Sequence, residues 1–397
     1  MDARTGLPIV GIVGAGQLAR MMHQAAISLG QSARILADSP EDGAAVVASD
    51  VLVGDYRRLA DLRRLAAGCD VVTFDHEHVP PEHIRALAAE GTTLLPSADA
   101  LRYAQDKAAM RERLTELGAP CPPWLALPAE PEQAARAVEE FGAAHGWPVV
   151  LKAARGGYDG KGVWVADGPA RAASVLADAA ASGAPMLVEQ RVPIVRELAA
   201  VVARSPFGQG VAWSVAETVQ RDGICIEVLA PAPGLSDALA DEAEALALRI
   251  ARELGVVGVL AVELFLDERG QLIVNELAMR PHNSAHWTIE GARTSQFEQH
   301  LRAVLDYPLG APSLTAPAVA MANVLGGPDD VRPGRIDERV HHCMARWPDV
   351  KIHLYGKGFR PGRKVGHVTA LGQDMHRTRA RARAAADYLS YGEPDER

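Results

Sequence analysis

From residue 9 to residue 95 short apolar runs alternate with helix-like ones: Ile9 to Val13, a helix Gln17 to Leu29, Ala33 to Ala37, a helix Arg58 to Ala67, Val71 to Phe74, a helix Pro81 to Glu90, and Leu94 to Leu95. Strands separated by helices return in the same direction, so the alternation predicts an open parallel α/β sheet. The first strand runs into Gly14-Ala15-Gly16, with Ala19 three residues on and Asp38 at the end of the second strand, a superficial match to a dinucleotide fingerprint. Three readings of this turn stay open: a nicotinamide dinucleotide site, a phosphate or carboxylate subsite at the helix N-terminus, and a tight turn that is purely structural.

After helix Lys107 to Leu117, the Pro-rich passage Pro120 to Pro131 reads as a junction. Beyond it are expected helix Glu132 to His145, strand Pro148 to Ala154, a glycine-rich loop, strand Val163 to Ala166, helix Pro169 to Ala181 and strand Met186 to Gln190. Strands Glu197 to Ala203, Gly210 to Val219 and Ile224 to Ala230 follow, then helix Ser236 to Leu254, a hairpin, a polar loop Arg280 to Thr294 and helix Ser295 to Val304. Short strands and a basic helix, Thr378 to Tyr391, end the chain; its Arg377, Arg379, Arg381 and Arg383 read as a solvated face. With 397 residues, 48% of them apolar and 23% charged, two to three folded domains are expected. The 41 basic and 50 acidic residues leave a net charge of −9, which argues against nucleic acid or an anionic membrane as partner. The longest nearly apolar stretch, Val256 to Leu266, is broken by Glu263 and falls short of the roughly 20 residues of a membrane span. Ile9 to Val13 is too short for a signal segment, so the cytoplasm is the expected compartment. Cys69, Cys121, Cys225 and Cys343 form no C-x-x-C pair and read as small buried thiols.

Three segments carry chemistry. Lys152-Ala-Ala-Arg155-Gly156-Gly157-Tyr158-Asp159-Gly160-Lys161-Gly162 lies between two strands, where glycines let backbone N–H groups converge on phosphate and the lysines add charge. It is not a Walker A loop, because Gly162 follows Lys161 and a strand comes next. Only six of the 41 basic residues are Lys (Lys107, Lys152, Lys161, Lys351, Lys357 and Lys364), a hint that some of these positions need a compact charge. In the hairpin Gly258 to Glu276, a turn at Glu268-Arg269 puts Glu263 opposite Val274 with Glu276 diagonally beside it. Two carboxylates on one apolar patch call for a cation, and Mg²⁺ bridging nucleotide phosphates suits them; Asn275 joins only if the strand bulges. Leu187 to Val192, with Glu197 beyond, reads on its own as an ordinary strand end, or else as backbone groups offered to an adenine edge with a carboxylate for a ribose.

In this order the three segments resemble the ATP-grasp superfamily. Gly14-Ala-Gly16-Gln17-Leu18, Ala104-Gln105-Asp106-Lys107, the flap, Asn275-Glu276-Leu, Arg280-Pro-His-Asn-Ser284-Ala-His-Trp287 and Arg360-Pro-Gly-Arg-Lys-Val-Gly-His367 resemble the 5-(carboxyamino)imidazole ribonucleotide synthases of bacterial purine biosynthesis. The resemblance implies a Rossmann-like unit (1–106), a lid with the flap (107–195), a catalytic unit (196–320) and a small β-rich C-terminal unit (321–397). It implies ATP-dependent carboxylation of 5-aminoimidazole ribonucleotide by bicarbonate through carboxyphosphate. Carried across, Lys107 and Lys152 hold ATP phosphates; Gly157, Tyr158, Asp159, Gly160, Lys161 and Gly162 form the flap. Glu189, Gln190 and Val192 take adenine, Glu197 the ribose, and Glu263 with Glu276 take Mg²⁺; Gln220 and Asn275 are further nucleotide contacts. Tyr158, Asp159, Arg280, His282, Asn283, Lys357, Arg363 and Lys364 line the acceptor site, with Arg280, Lys357 and Asp159 catalytic. A homodimer and hand-over of product to a separate mutase are implied too. Lys107 stands where the family often has Arg, Gln220 where some members have His, and Ala19 replaces a common Gly. The competing readings are another ATP-grasp ligase, an NAD-dependent oxidoreductase and an ATP-binding regulator without turnover.

Overall fold

The computed structural model describes residues 1–156, 162–180, 183–327 and 336–392; the flap positions Gly157, Tyr158, Asp159, Gly160 and Lys161 lie outside them. The first unit runs β1 (Ile9–Val13), α1 (Gln17–Ser28), β2 (Ser32–Ala37), β3 (Val51–Val53), α2 (Leu59–Ala66), β4 (Val71–Phe74), α3 (Pro81–Ala89) and α4 (Ala98–Gln105). Its four strands pair in parallel in the order β3-β2-β1-β4, as the alternation predicts. Strand β3 and helix α4 are additional to that reading. Asp106 ends α4 and caps α5 (Lys107–Glu116), its carboxylate accepting the Ala108 and Ala109 N–H groups.

At the glycine turn after β1 the N-terminus of α1 meets an anion that belongs to the chain itself. Asp75, just past β4, accepts the Gly16 N–H at 2.7 Å and sits at the N-terminus of α1. A Cβ on Gly14, whose φ is +101°, would lie 1.8 Å from an Asp75 oxygen, so only glycine lets the turn close on this carboxylate.

The second unit comprises β5 (Trp124–Ala126), inside the Pro-rich passage, then α6 (Pro131–His145), β6 (Val149–Ala153), β7 (Val163–Ala166), α7 (Pro169–Ala180) and β8 (Met186–Gln190). They form an antiparallel sheet ordered β5-β8-β6-β7 around a small core of their own, to which both helices contribute.

The rest builds one antiparallel sheet of nine strands among the described residues: β9 (Ile194–Arg204), β10 (Gly210–Ala212), β11 (Ala216–Arg221), β12 (Ile224–Ala230), β13 (Gly258–Asp267), β14 (Leu272–Ala278), β15 (Ala318–Leu325), β16 (Lys351–Leu354) and β17 (Lys364–Gly372). Helices α8 (Asp237–Glu253), α9 (Thr288–Gly291), α10 (Gln296–Val304), α11 (Ile336–Arg346) and α12 (Met375–Tyr391) accompany it. The strand expected over Gly210 to Val219 is two, because buried Trp213 turns inward and donates to the Thr294 carbonyl at 3.0 Å. Strand β15 spans residue 320, so the two last expected units share this sheet.

The terminal basic helix is not wholly a solvated face. Arg379 and Arg383, one turn apart on α12, ion-pair with Glu227 of β12 at 2.6 and 3.0 Å, and that carboxylate is buried. The Arg381 guanidinium donates to the Leu371 carbonyl at 2.7 Å.

Candidate active site

A cleft of about 1540 Å³ lies between the lid sheet and the large sheet, reaching the C-terminal ends of β1 and β4. Lys107, Lys152, Glu189, Gln190, Val192, Glu197, Gln220, Glu263, Asn275, Glu276, Arg280, His282, Asn283 and Lys364 all line it.

The paired acids meet more closely than the simple hairpin predicts. The loop is three residues long, with Gly270 at φ +74° and the Asp267 carboxylate accepting the Arg269 and Gln271 N–H groups, which moves the register by one. A bulge then shifts it again: Leu264 pairs with Val274, but Glu263 pairs directly with Glu276, leaving Asn275 as the extra residue. Glu263 therefore faces Glu276 and not Val274. The Asn275 amide comes to the same face, 3.5 Å from Glu263 Oε2, and its Oδ1 accepts from Lys152 at 3.2 Å. Burial, then the charges of Glu276 and Glu197, push the Glu263 carboxyl up to about 7. Two mutually repelling carboxylates beside an amide oxygen fit a hard divalent cation. Among the described residues no three acids, histidines or cysteines gather as a metal cage.

Cations surround these acids. Lys107, at the first position of α5, reaches Glu276 at 2.5 Å; Lys152 on β6 reaches Glu189 at 2.7 Å. Burial pushes the Lys152 ammonium down, opposed by the charge of Glu189. Burial alone would raise the Glu189 carboxyl; Arg111 and Lys152 outweigh it and hold it below the ordinary range. The Glu189 side chain is thus committed to two cations, and the Gln190 amide donates to the His145 carbonyl at 3.0 Å. Any base edge at this hinge is left to main-chain groups and to the apolar wall of Val150, Val163, Val165 and Phe265. Burial raises the Glu197 carboxyl farther along.

At the other end Arg280 pairs with Glu77, which follows β4, at 2.8 Å. His282 lies 3.5 Å from Glu263, its ring held neutral and pushed down to about 3 by burial and by Arg280. Gln296 grips the His282 main chain, accepting its N–H at 2.7 Å and donating to its carbonyl at 2.8 Å. Asn283 and Asn323 exchange two amide hydrogen bonds of 3.0 and 2.8 Å, which uses up half of the Asn283 amide. Lys357 and Arg363 stand off the lining: Lys357 donates to Gln17, which does line the cleft, and Arg363 donates to the Gly358 carbonyl at 3.3 Å. Gly162 is also off the lining, its carbonyl accepting the Ala153 N–H. Arg111, Glu77, Gln296 and Asn323 are additions to the sequence reading. Arg111 has a sequence signal in its spacing, four residues after Lys107 on one helix face.

A family model described as the ATP-grasp domain matches residues 112–297. Models described as the ribonucleotide synthetase preATP-grasp domain and the phosphoribosylaminoimidazole carboxylase C-terminal domain match 7–105 and 319–381. The chain is 56% identical over 385 residues to N5-carboxyaminoimidazole ribonucleotide synthase from Mycobacterium tuberculosis, covering 97% of this chain and 88% of that relative. The protein of the same name from Synechococcus elongatus is 38% identical over 363 residues, 91% and 88% of the two chains. The solved structure of N5-carboxyaminoimidazole ribonucleotide synthetase from Thermus thermophilus matches with a TM-score of 0.84 at 38% identity, covering 98% and 100%. That of N5-carboxyaminoimidazole synthase from Aspergillus clavatus, in complex with ADP and 5-aminoimidazole ribonucleotide, matches with 0.86 at 31%, covering 96% and 98%. With three family segments in order and this identity along nearly the whole length, the chain belongs to the N5-carboxyaminoimidazole ribonucleotide synthase family of ATP-grasp ligases.

Proposed function

We propose that this chain carboxylates the exocyclic amine of 5-aminoimidazole ribonucleotide with bicarbonate, cleaving ATP to ADP and phosphate, in purine biosynthesis. One observation carries the reading: the opposed acids Glu263 and Glu276 are flanked by Lys107 and Lys152 on one side and by Arg280 and Lys364 on the other, within one cleft. Two phosphate-bearing substrates meeting at a metal-bearing acid pair need that charge order.

Lys107 and Lys152 take the ATP phosphates, main-chain groups at Glu189, Gln190 and Val192 the adenine, Glu197 the ribose, with Gln220 at the rim. Glu263, Glu276 and Asn275 would hold Mg²⁺, which when bound offsets charge on the phosphates. Bicarbonate oxygen attacks the γ-phosphorus and ADP leaves, giving carboxyphosphate, whose anionic oxygens Arg280 and His282 orient. The amine nitrogen then attacks the carboxyl carbon: the C–N bond forms, the bond to phosphate breaks, and the amine proton is released. Lys364, with Lys357 acting beside Gln17 and Arg363 at the rim, anchors the ribonucleotide phosphate; Asn283 orients the ring. To the flap segment, most of which lies outside the described residues, falls the exclusion of water from the acyl phosphate.

The reading extends to a homodimer in the cytoplasm that passes its labile carbamate to a separate mutase. Four free cysteines agree with a reducing compartment, and sedimentation equilibrium tests the dimer. The function itself is tested by phosphate release from Mg·ATP and bicarbonate with 5-aminoimidazole ribonucleotide or glycinamide ribonucleotide as acceptor. Stimulation by the first alone is expected; equal stimulation by both, or by neither, contradicts the substrate assignment.

A further inference from the structure

Arg111 is placed one helical turn after Lys107 on α5, and its side chain is 1% exposed. Its guanidinium is used on three sides: Nε donates to Glu189 Oε1 at 2.7 Å, Nη1 to the Val274 carbonyl at 3.0 Å and Nη2 to the Asn275 carbonyl at 2.8 Å. In a regular strand successive carbonyls point to opposite sides. Two consecutive carbonyls reach one guanidinium here because Asn275 is the extra residue of the β14 bulge. Among the described residues β14 is the edge of its sheet, and no further strand takes these outward groups. Arg111, together with the Pro120 carbonyl that accepts the Val274 N–H at 2.7 Å, closes that edge.

We infer that Arg111 is a positioning residue that sets the metal end of the cleft, holding the β14 bulge that turns Asn275 beside Glu263 and fixing, with the same fork, the hinge carboxylate Glu189. The inference rests on the ATP-dependent function proposed above. A lysine cannot substitute: its ammonium is a single point on a flexible stem, whereas the planar fork serves a carboxylate and two carbonyls at once. Arg111 is buried behind the cleft lining and acts through Asn275 and Glu189, which belong to it. Loss of the fork therefore loosens the metal ligands and leaves the acceptor end, built on Arg280 and His282, as it was.

Calorimetric titration with the non-hydrolysable β,γ-imido analogue of ATP, at limiting and at saturating Mg²⁺, separates this role from a general one. Arg111→Lys is expected to weaken analogue binding about tenfold at limiting Mg²⁺, equivalent to ~1.4 kcal/mol, and to recover at saturating Mg²⁺. The KM for 5-aminoimidazole ribonucleotide is expected to stay unchanged. Glu189→Gln leaves the guanidinium and its two carbonyl contacts in place, so it is expected to weaken the analogue equally at both Mg²⁺ concentrations. An Arg111→Lys protein with the parent's Mg²⁺ requirement overturns the inference, and so does a Glu189→Gln protein whose Mg²⁺ requirement rises. The second test decides even if Arg111→Lys does not fold. If the parent itself does not bind the analogue, the proposed function falls and takes the inference with it; binding by the parent with an unaltered variant sinks the inference alone.

Discussion

At Asp75 a side-chain carboxylate fills the helix N-terminus that a ligand's phosphate fills in dinucleotide-binding turns, and it does so almost out of contact with water. Burial pushes this carboxyl up to about 6, against the Gly16 N–H and the charge of Arg280, which pull it down. The folded chain therefore keeps a proton that the unfolded chain has released above about pH 4. Its contribution to stability is full below pH 4 and is lost as pH rises through 6, on the order of 2 to 3 kcal/mol. His76, pushed by burial down to about 4, works in the opposite sense, its contribution being lost as pH falls from 6.5 through 4. Melting curves of the parent and Asp75→Asn from pH 4 to 7 isolate the first effect. The parent is expected to lose stability relative to the variant as pH rises from 4 to 6, and parallel curves contradict the assignment. At this scale some groups are legible in the sequence and others are hidden. Glu263 stands out as one carboxylate in the otherwise apolar strand Gly258 to Leu266, and Lys152 as a lysine closing the apolar run Val149 to Leu151. Asp75, Glu77 and Asn323 are hidden because their partners are 59 or more residues away, or 40 for the Asn283–Asn323 pair.

The elements that carry the site follow from local chemistry, and those the sequence hides lack a periodic signature. Strand β3 is three residues at a sheet edge, too short to show alternation, and α4 is eight residues separated from α5 only by extended Asp106. The acid hairpin is legible, but its register is not. A two-residue turn is the default, and neither Gly270 at positive φ nor the bulge at Asn275 is visible in the apolar pattern. Helix α12 is legible too, but its polar face reads wrongly as solvated, because the acid that binds it, Glu227, is 152 residues away from Arg379. The pairing is asymmetric: Glu227 is buried, whereas Arg379 and Arg383 keep about a third or more of their surface in water. Glu227→Ala leaves no buried charge behind and is expected to cost about 1 to 2 kcal/mol. Arg379→Ala with Arg383→Ala strands a buried carboxylate and is expected to cost about 3 kcal/mol or more. Urea unfolding of the two proteins checks the order, and equal losses contradict the latch.

Over the whole molecule, three sheets converge on one cleft, where a chain with a net charge of −9 sets eight lysines and arginines against seven acids. The parallel sheet supplies Glu77 and the α1 turn, the lid sheet supplies Lys152 and Glu189, and the large sheet supplies Glu263, Asn275 and Glu276 together with Lys364. The fold order is readable because the flap, hinge and acid hairpin each have a local signature. How closely they meet is not, since it depends on contacts between units, such as the Lys107 N–H donated to the Ala154 carbonyl at 2.8 Å. Under the proposed function ATP is spent on activating bicarbonate, and the path of one oxygen atom tests that directly. Turnover with ¹⁸O-labelled bicarbonate, Mg·ATP and 5-aminoimidazole ribonucleotide is expected to place one bicarbonate oxygen in the released inorganic phosphate. Phosphate that carries no label, alongside carboxylated product, would contradict the carboxyphosphate route and with it the proposed roles of Arg280, His282 and the paired acids.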